Sequence, residues 1–70
     1  MMYSNKFPTL SLAAARVNAG LTQKEFADLC GVSESTVVAW ESGRRSPNVK
    51  MLNKIEAILG ISLNFIRFGA

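Results

Sequence analysis

The amino-acid sequence predicts an all-α protein with five short helices. Apolar residues recur at spacings of three and four through most of its 70 residues, which is the pattern of helices that bury one face. Polar residues able to cap a helix precede the predicted segments, and glycine follows several of them. No stretch shows the strict alternation of a half-buried strand. A chain of this length forms one domain, with a core near the lower size limit.

The predicted helices follow one another with short connections. Thr9 or Ser11 is positioned to cap helix 1, and Thr22 with Glu25 forms the T-x-x-E capping box that marks the start of helix 2. Before helix 4, either polar residue of the Ser-Pro-Asn segment at 46–48 can serve as the cap. The predicted segments are a partly ordered N-terminal arm (1–8), a domain (9–70) and, within it, helices at about 10–19, 23–30, 34–41, 48–59 and a short fifth helix from residue 62.

Composition and charge limit the functions that the chain can have. Eight Lys and Arg residues against five Asp and Glu give a mild basic excess, which permits contact with nucleic acid without establishing it. With no histidine, one cysteine and no glycine-rich phosphate loop, the sequence predicts no enzymatic activity, metal or cofactor. Cys30 fits a core position, and a single cysteine favours a reducing compartment, so a cytoplasmic location is expected. No apolar run has the length of a membrane helix, so no membrane partner is expected.

Residues 27 to 37 have the spacing of two helices joined by a tight turn. Ala27 is small enough to let the next helix cross closely, and Gly31, four residues later, fits a turn position with positive φ. Ser33 caps the following helix, and Val37 anchors it in the core. An A-x3-G-x5-V pattern is common by chance, but here it lies across two capped helices. We therefore interpret helices 2 and 3 as a helix-turn-helix.

Helix 3 has an outer face with little charge. A helical wheel places Val37 and Trp40 on the inner side and small or weakly polar residues opposite them. Small side chains allow close approach to another surface, and the major groove of DNA is one such surface. A protein neighbour is the alternative, because exposed apolar residues often mark protein interfaces. The outer residues are Glu34, Ser35, Val38, Ala39 and Ser42.

The segment GLTQKEFADLCGVSESTVVAWESGRRSPNVKMLNKIEAILGISL resembles the DNA-binding domain of the Cro and phage-repressor group, the XRE-type helix-turn-helix family. The resemblance runs from about Leu12 to Ile66. It implies a compact five-helix, repressor-like domain that binds double-stranded DNA as a sequence-specific transcriptional regulator, with helix 3 in the major groove. Since the sequence offers no room for an effector domain, we expect repression by operator occupancy. The matching residues are Gly20, Leu21, Thr22, Gln23, Ala27, Gly31, Val32, Ser33, Trp40, Glu41, Gly43, Pro47, Leu52, Ile55, Leu59, Gly60, Ser62 and Leu63.

The resemblance assigns DNA contacts to two groups of residues. Val38 and Ala39 have no donors, so the thymine methyl is their natural partner, whereas Ser35 can donate or accept. Glu34 can accept from cytosine or repel the DNA backbone. The base-reading positions are Ser33, Glu34, Ser35, Val38 and Ala39. The phosphate contacts are Gln23, Arg44, Arg45 and Lys50, each with an ordinary surface residue as the alternative.

Two further sets of residues carry structural expectations. By the resemblance, Arg16 and Glu41 form a partly buried salt bridge that fixes helix 3 relative to helix 1. The C-terminal segment has more apolar surface than one short helix can bury, so we expect a homodimer that reads half-sites about 34 Å apart. The alternative is that Phe65 and Phe68 fold back over helix 1. The expected dimer contacts are Leu63, Phe65 and Phe68.

Some positions depart from the family. Ala13, Ala14 and Val17 on helix 1 and Leu29 on helix 2 direct apolar side chains outward, and Glu56 replaces a small inward residue of helix 4. The apolar positions keep a second function open. In it, the chain is a protein-interaction module or an antitoxin-type protein, with a toxin or another regulator as its partner.

Overall fold

The computed structural model describes residues 9–69, so the predicted arm at 1–8 lies outside the described residues. Within this range the chain forms four α-helices, one turn of 3-10 helix and a pair of two-residue strands. In chain order the elements are β1 (Leu10–Ser11), α1 (Leu12–Asn18), α2 (Gln23–Cys30), α3 (Glu34–Ser42), α4 (Val49–Leu59), the 3-10 turn (Leu63–Phe65) and β2 (Ile66–Arg67).

The prediction of a fifth α-helix is wrong. The hydroxyl of Ser62 accepts the N–H of Asn64 at 3.2 Å and starts only the single 3-10 turn. The chain then becomes extended, and β2 pairs in parallel with β1. A strand of two residues is too short to show any alternation of polar and apolar side chains, which is why the sequence pattern missed it. The fold is therefore mostly helical, with a small strand pair in place of the all-α architecture expected.

The strand pair joins the two ends of the described chain. Leu10 is the partner of Ile66, and Arg67 Nη1 donates to the carbonyl and the hydroxyl oxygen of Thr9, at 2.8 and 3.0 Å. Glu56, whose role the sequence left open, accepts the N–H of Leu63 through Oε2 at 3.1 Å. Its carboxylate therefore holds the start of the 3-10 turn against α4.

Side-chain caps fix where the helices begin. The Ser11 hydroxyl accepts the N–H of Ala14 at 3.0 Å, so Ser11 and not Thr9 caps α1. Thr22 and Glu25 form both bonds of the predicted capping box, at 2.8 and 3.0 Å, and α2 has the predicted bounds. At α4 the cap is the second polar residue of the 46–48 segment, an asparagine.

The largest fully buried side chains of the four α-helices, one from each, are Leu12, Phe26, Val37 and Ile55. Burying an aliphatic or aromatic side chain of this size stabilises a fold by about 1.5 to 3 kcal/mol. Trp40 and Leu59 extend the cluster.

Cys30 lies in this core, as the sequence predicted. Burial raises the pKa of its thiol above the usual value, and the nearby ammonium of Lys54 opposes that rise. Lys54 Nζ also donates to the backbone carbonyl of Cys30 at 3.0 Å, at the C-terminal end of α2, where a positive charge is favourable. The thiol is consequently protonated at neutral pH and packed.

Glu41 joins three helices through its two carboxylate oxygens. Arg16 Nε donates to Oε2 at 2.7 Å, and Gln23 Nε2 donates to Oε1 at 2.9 Å. Arg16 also donates through Nη1 to the carbonyl of Leu21 at 2.7 Å. The salt bridge implied by the resemblance is thus present and largely shielded from solvent. It ties the last turn of α3 to α1 and to the first turn of α2.

Replacing Glu41 by glutamine is expected to lower the free energy of unfolding by about 2 kcal/mol, because it removes the negative charge beside Arg16 and replaces one of the two acceptor oxygens by an NH2 group. Urea denaturation followed by the fluorescence of Trp40, the single tryptophan, measures the change.

Asp28→Asn is the matched control for that substitution. Asp28 forms an exposed i,i+4 pair with Lys24 at 3.8 Å, and such a pair contributes less than about 0.5 kcal/mol. Equal stabilities for Glu41→Gln and Asp28→Asn would show that the three-helix contact has no particular weight.

Candidate nucleic-acid interface

The turn between α2 and α3 brings these helices into the most extensive contact between any two elements in residues 9–69. Gly31 has φ +78°, a conformation that L side chains rarely adopt, and its N–H donates to the carbonyl of Ala27 at 2.8 Å. The N–H of Val32 donates to the same carbonyl at 3.0 Å. Ala27 and Val37 are buried where the helices meet. The predicted geometry of the helix-turn-helix is confirmed.

The outer flank of α3 carries small and weakly polar side chains. Ser33, Glu34, Ser35 and Ser42 are exposed, and Val38 keeps 36% of its surface accessible. We call this set the α3 flank. Glu34 is its only formal charge. A second surface can therefore approach the α3 backbone closely, with few bulky side chains in between.

Ala39 does not belong to this flank, and the prediction that it is exposed is wrong. Only 4% of its surface is accessible. The chain turns back at Gly43, which has φ +82°, and the N–H groups of Arg44 and Arg45 both donate to the Ala39 carbonyl, at 3.0 and 3.3 Å. A helical wheel of α3 places Ala39 outward because the wheel takes no account of the rest of the folded chain. Val38 is the one apolar side chain of the predicted pair that remains open to a ligand.

Arg44 and Arg45 lie exposed directly after α3. Arg44 Nε donates to the hydroxyl of Ser42 at 3.2 Å, which holds this guanidinium beside the last turn of α3. Among the described residues, the two ion pairs are Arg16–Glu41 and Lys24–Asp28, so neither arginine of the loop is neutralised by a carboxylate. Lys50, in the first turn of α4, is also exposed.

Gln23 is placed differently from the phosphate contact that the resemblance implies. Its side chain is half-buried, and its amide nitrogen donates to Glu41. The amide nitrogen carries a second N–H that can still donate to a phosphate, whereas the side-chain oxygen can only accept. The first turn of α2 still has backbone N–H donors, because those of Gln23 and Lys24 lie outside the capping box and have no partner within a helix.

Three hydroxyl groups meet at the start of α3. Ser33 Oγ lies 3.0 Å from Ser35 Oγ and 2.9 Å from Thr36 Oγ1, and it accepts the N–H of Thr36 at 3.2 Å. Sequence reasoning did not assign Thr36 to the site. The S-x-S-T order from residue 33 was the available signal, because side chains two and three residues after an N-cap can reach it.

Apolar residues outside the α3 flank behave in two ways. Leu63 and Phe68, two of the expected dimer contacts, are partly buried against the protein's own core, while Phe65 keeps 39% of its surface accessible. Val17 on α1 and Leu29 on α2 are exposed at 63% and 52%.

In the described part of the chain, no group of His, Cys, Asp and Glu could hold a metal ion, and no helix is long and apolar enough to cross a membrane.

Comparison with known proteins agrees with this geometry. The helix-turn-helix family model matches residues 12–66. The chain is 33% identical over 58 residues to an SPbeta prophage-derived uncharacterized HTH-type transcriptional regulator of Bacillus subtilis, covering 83% of this chain and 54% of that protein. It is 42% identical over 45 residues to an uncharacterized HTH-type transcriptional regulator of Methanothermobacter thermautotrophicus, covering 64% of this chain and 65% of the relative.

A eukaryotic protein is similar as well. Human endothelial differentiation-related factor 1 is 40% identical over 48 residues, which cover 69% of this chain and 32% of the human protein. The chain thus spans less than two thirds of the length of each of these three relatives. No solved structure matches it significantly. The match over residues 12–66 includes all four α-helices, and the chain belongs to the helix-turn-helix family.

Proposed function

We propose that the protein is a sequence-specific regulator of transcription that binds double-stranded DNA with α3 in the major groove and represses by occupying its operator. The observation that carries this proposal is the juxtaposition on α3: an open flank of small side chains is followed at once by two exposed arginines. Two relatives named as HTH-type transcriptional regulators support it.

The two halves of this surface suit the two tasks of a DNA-binding protein. Arginine side chains contact phosphates and fix orientation, whereas side chains in the groove distinguish bases. Val38 suits a thymine methyl, and Glu34 suits the amino group of a cytosine. Arg44 and Arg45 are the phosphate contacts, with Lys50 next along the chain. The free N–H groups in the first turn of α2 and the second amide N–H of Gln23 are further donors to a phosphate.

Protein binding is the second candidate function. Val17 and Leu29 are the observations that favour it, because large apolar side chains with more than half of their surface accessible often mark protein interfaces. In this case a toxin or another regulator would bind these outer faces of α1 and α2. The binding measurements below separate the two functions, since a pure interaction module binds no duplex at low salt.

The protein is proposed to form a homodimer whose contact lies in the C-terminal segment. Since Leu63 and Phe68 partly pack on the core, the accessible surface of Phe65 supports the contact. Two copies related by a two-fold axis present their α3 helices to half-sites about 34 Å apart, one turn of DNA.

Replacing both Arg44 and Arg45 by glutamine should weaken binding to every duplex and reduce the slope of log K against log salt by about two, one for each lost phosphate contact. Electrophoretic shift titrations at two salt concentrations measure the slope. Arg67→Gln, on the strand pair, is the control and should leave the slope unchanged. An unchanged slope for the double variant would remove the loop from the interface.

Val38→Ala should change the preference at one or two base pairs by on the order of 1 kcal/mol, because the smaller side chain loses contact with a thymine methyl. Selection of bound duplexes from a random pool measures the preference. Val17→Ala removes the same methyl groups from an exposed valine of α1 and should leave the selected sequence unaltered. Equal weakening on all duplexes by Val38→Ala would argue against methyl recognition.

Phe65→Ser should convert a dimer into a monomer in sedimentation equilibrium at micromolar concentration, because it removes the accessible apolar surface of the C-terminal segment. Leu29→Ser, which alters an exposed apolar side chain of α2, should leave the dimer intact. A wild-type protein that sediments as a monomer at all concentrations would contradict the dimer.

A further inference from the structure

The backbone of Gly69 lies directly against the turn that ends α3. Gly69 is buried and has φ +92°, a conformation that L side chains rarely adopt. A Cβ atom placed on Gly69 would lie 3.3 Å from the Cα atom and 3.9 Å from the nitrogen of Gly43. Carbon atoms in contact ordinarily lie about 3.5 to 4.0 Å apart, so a methyl group fits between the two backbones only if one of them moves.

The turn at Gly43 sets the direction of the two exposed arginines. The N–H of Gly43 donates to the carbonyl of Trp40 at 3.3 Å. The N–H of Arg44 donates to the carbonyl of Ala39 at 3.0 Å, and the two bonds together form a Schellman motif. Since Arg44 and Arg45 follow this turn directly, a shift of the Gly43 backbone moves the chain that carries both guanidinium groups.

The chain before Gly69 is anchored in the fold. Ile66 is buried and pairs with Leu10 in the parallel strand pair, and Phe68 packs partly against the core. Gly43, in contrast, is exposed, so the turn has solvent on its outer side. When a methyl group is inserted between the two backbones, the turn at Gly43 is therefore the part that yields.

We propose that Gly69 is a positioning residue for the phosphate contacts of the loop after α3. Its backbone supports the turn at Gly43 from the inner side and keeps the chain of Arg44 and Arg45 in one position before DNA binds. A loop that is already held in place loses less conformational entropy when its side chains meet phosphates. The inference rests on the proposed binding of DNA, in which these two arginines contact the phosphates.

The contact itself can be measured without a variant and without DNA. In the wild-type protein, a nuclear Overhauser effect is expected between the α protons of Gly69 and those of Gly43. If this effect is absent, Gly69 does not support the turn, and the inference is wrong whatever the protein binds.

Gly69→Ala tests the consequence for binding. It should weaken binding to every duplex by about tenfold and reduce the slope of log K against log salt by about one, the effect of one lost phosphate contact. Electrophoretic shift titrations at two salt concentrations measure both quantities. The matched controls are Gly20→Ala and Gly60→Ala, because these glycines also have positive φ, +77° and +68°, but a Cβ atom there meets nothing within 4 Å. Both controls should keep the wild-type slope.

A double-mutant cycle shows whether Gly69 acts through the loop. Gly69→Ala, added to the variant in which Arg44 and Arg45 are both glutamine, should cause no further loss of affinity, because the displaced phosphate contacts are already absent. A further tenfold loss would give Gly69 an effect independent of the arginines and would contradict its positioning role.

The outcomes separate the two levels of inference. Wild-type protein that binds no duplex at low salt would overturn the proposed function and this inference with it. Normal binding by wild type, with Gly69→Ala equal to Gly20→Ala and Gly60→Ala in affinity and slope, would remove the role of Gly69 alone. Thermal unfolding of the three variants is the last check. Gly69→Ala that unfolds while both controls stay folded would make Gly69 a general structural residue, which also contradicts a role confined to the loop.

Discussion

The position of α3 over α2 is the constraint on which the rest of this structure depends, and the turn at Gly31 sets it. The positive φ of Gly31 reverses the chain within a few residues, and the small Ala27 lets the two helices approach. Once α3 starts there, Val37 and Trp40 enter the core, and the α3 flank must face outward. Glu41 then fixes the far end of α3 to α1 and α2. Both the exposure of the flank and its orientation follow from these contacts.

The domain separates its charges by task. Arg16 is used within the fold, and Arg67 joins the chain ends, whereas Arg44 and Arg45 extend into solvent beside the α3 flank. The flank itself has few charged or long side chains. In the proposed complex with DNA, sequence discrimination there depends on a few donors, acceptors and methyl groups, and the loop supplies general attraction to the phosphates. The net charge of the chain is only +3, and two of its eight Lys and Arg residues stand together where the chain leaves α3.

The parts of the fold that were predictable depend on interactions close in sequence. The capping box of Thr22 and Glu25 and the turn at Gly31 involve neighbouring residues, so the bounds of α2 could be predicted residue by residue. The strand pair could not, since Leu10 and Ile66 meet only after the helices have packed. The same holds for Glu56, whose partner is the N–H of Leu63 beyond the end of its helix.

The site was predictable to the same extent. Its location on α3 followed from the helical period and the caps. Two of its residue assignments depended instead on how the rest of the chain folds around α3. Ala39 is buried although the wheel places it outward, and the amide of Gln23 donates to Glu41, 18 residues away.

The central claim is that the α3 flank and the loop after it form the surface that meets DNA. Titration of the 15N-labelled protein with a selected duplex, followed by amide chemical shifts, tests it most directly. The largest changes are expected at residues 33–38 and 43–45 and in the first turn of α2, with little change around Val17. Changes centred on Val17 and Leu29, with the amides of α3 unaffected, would contradict it.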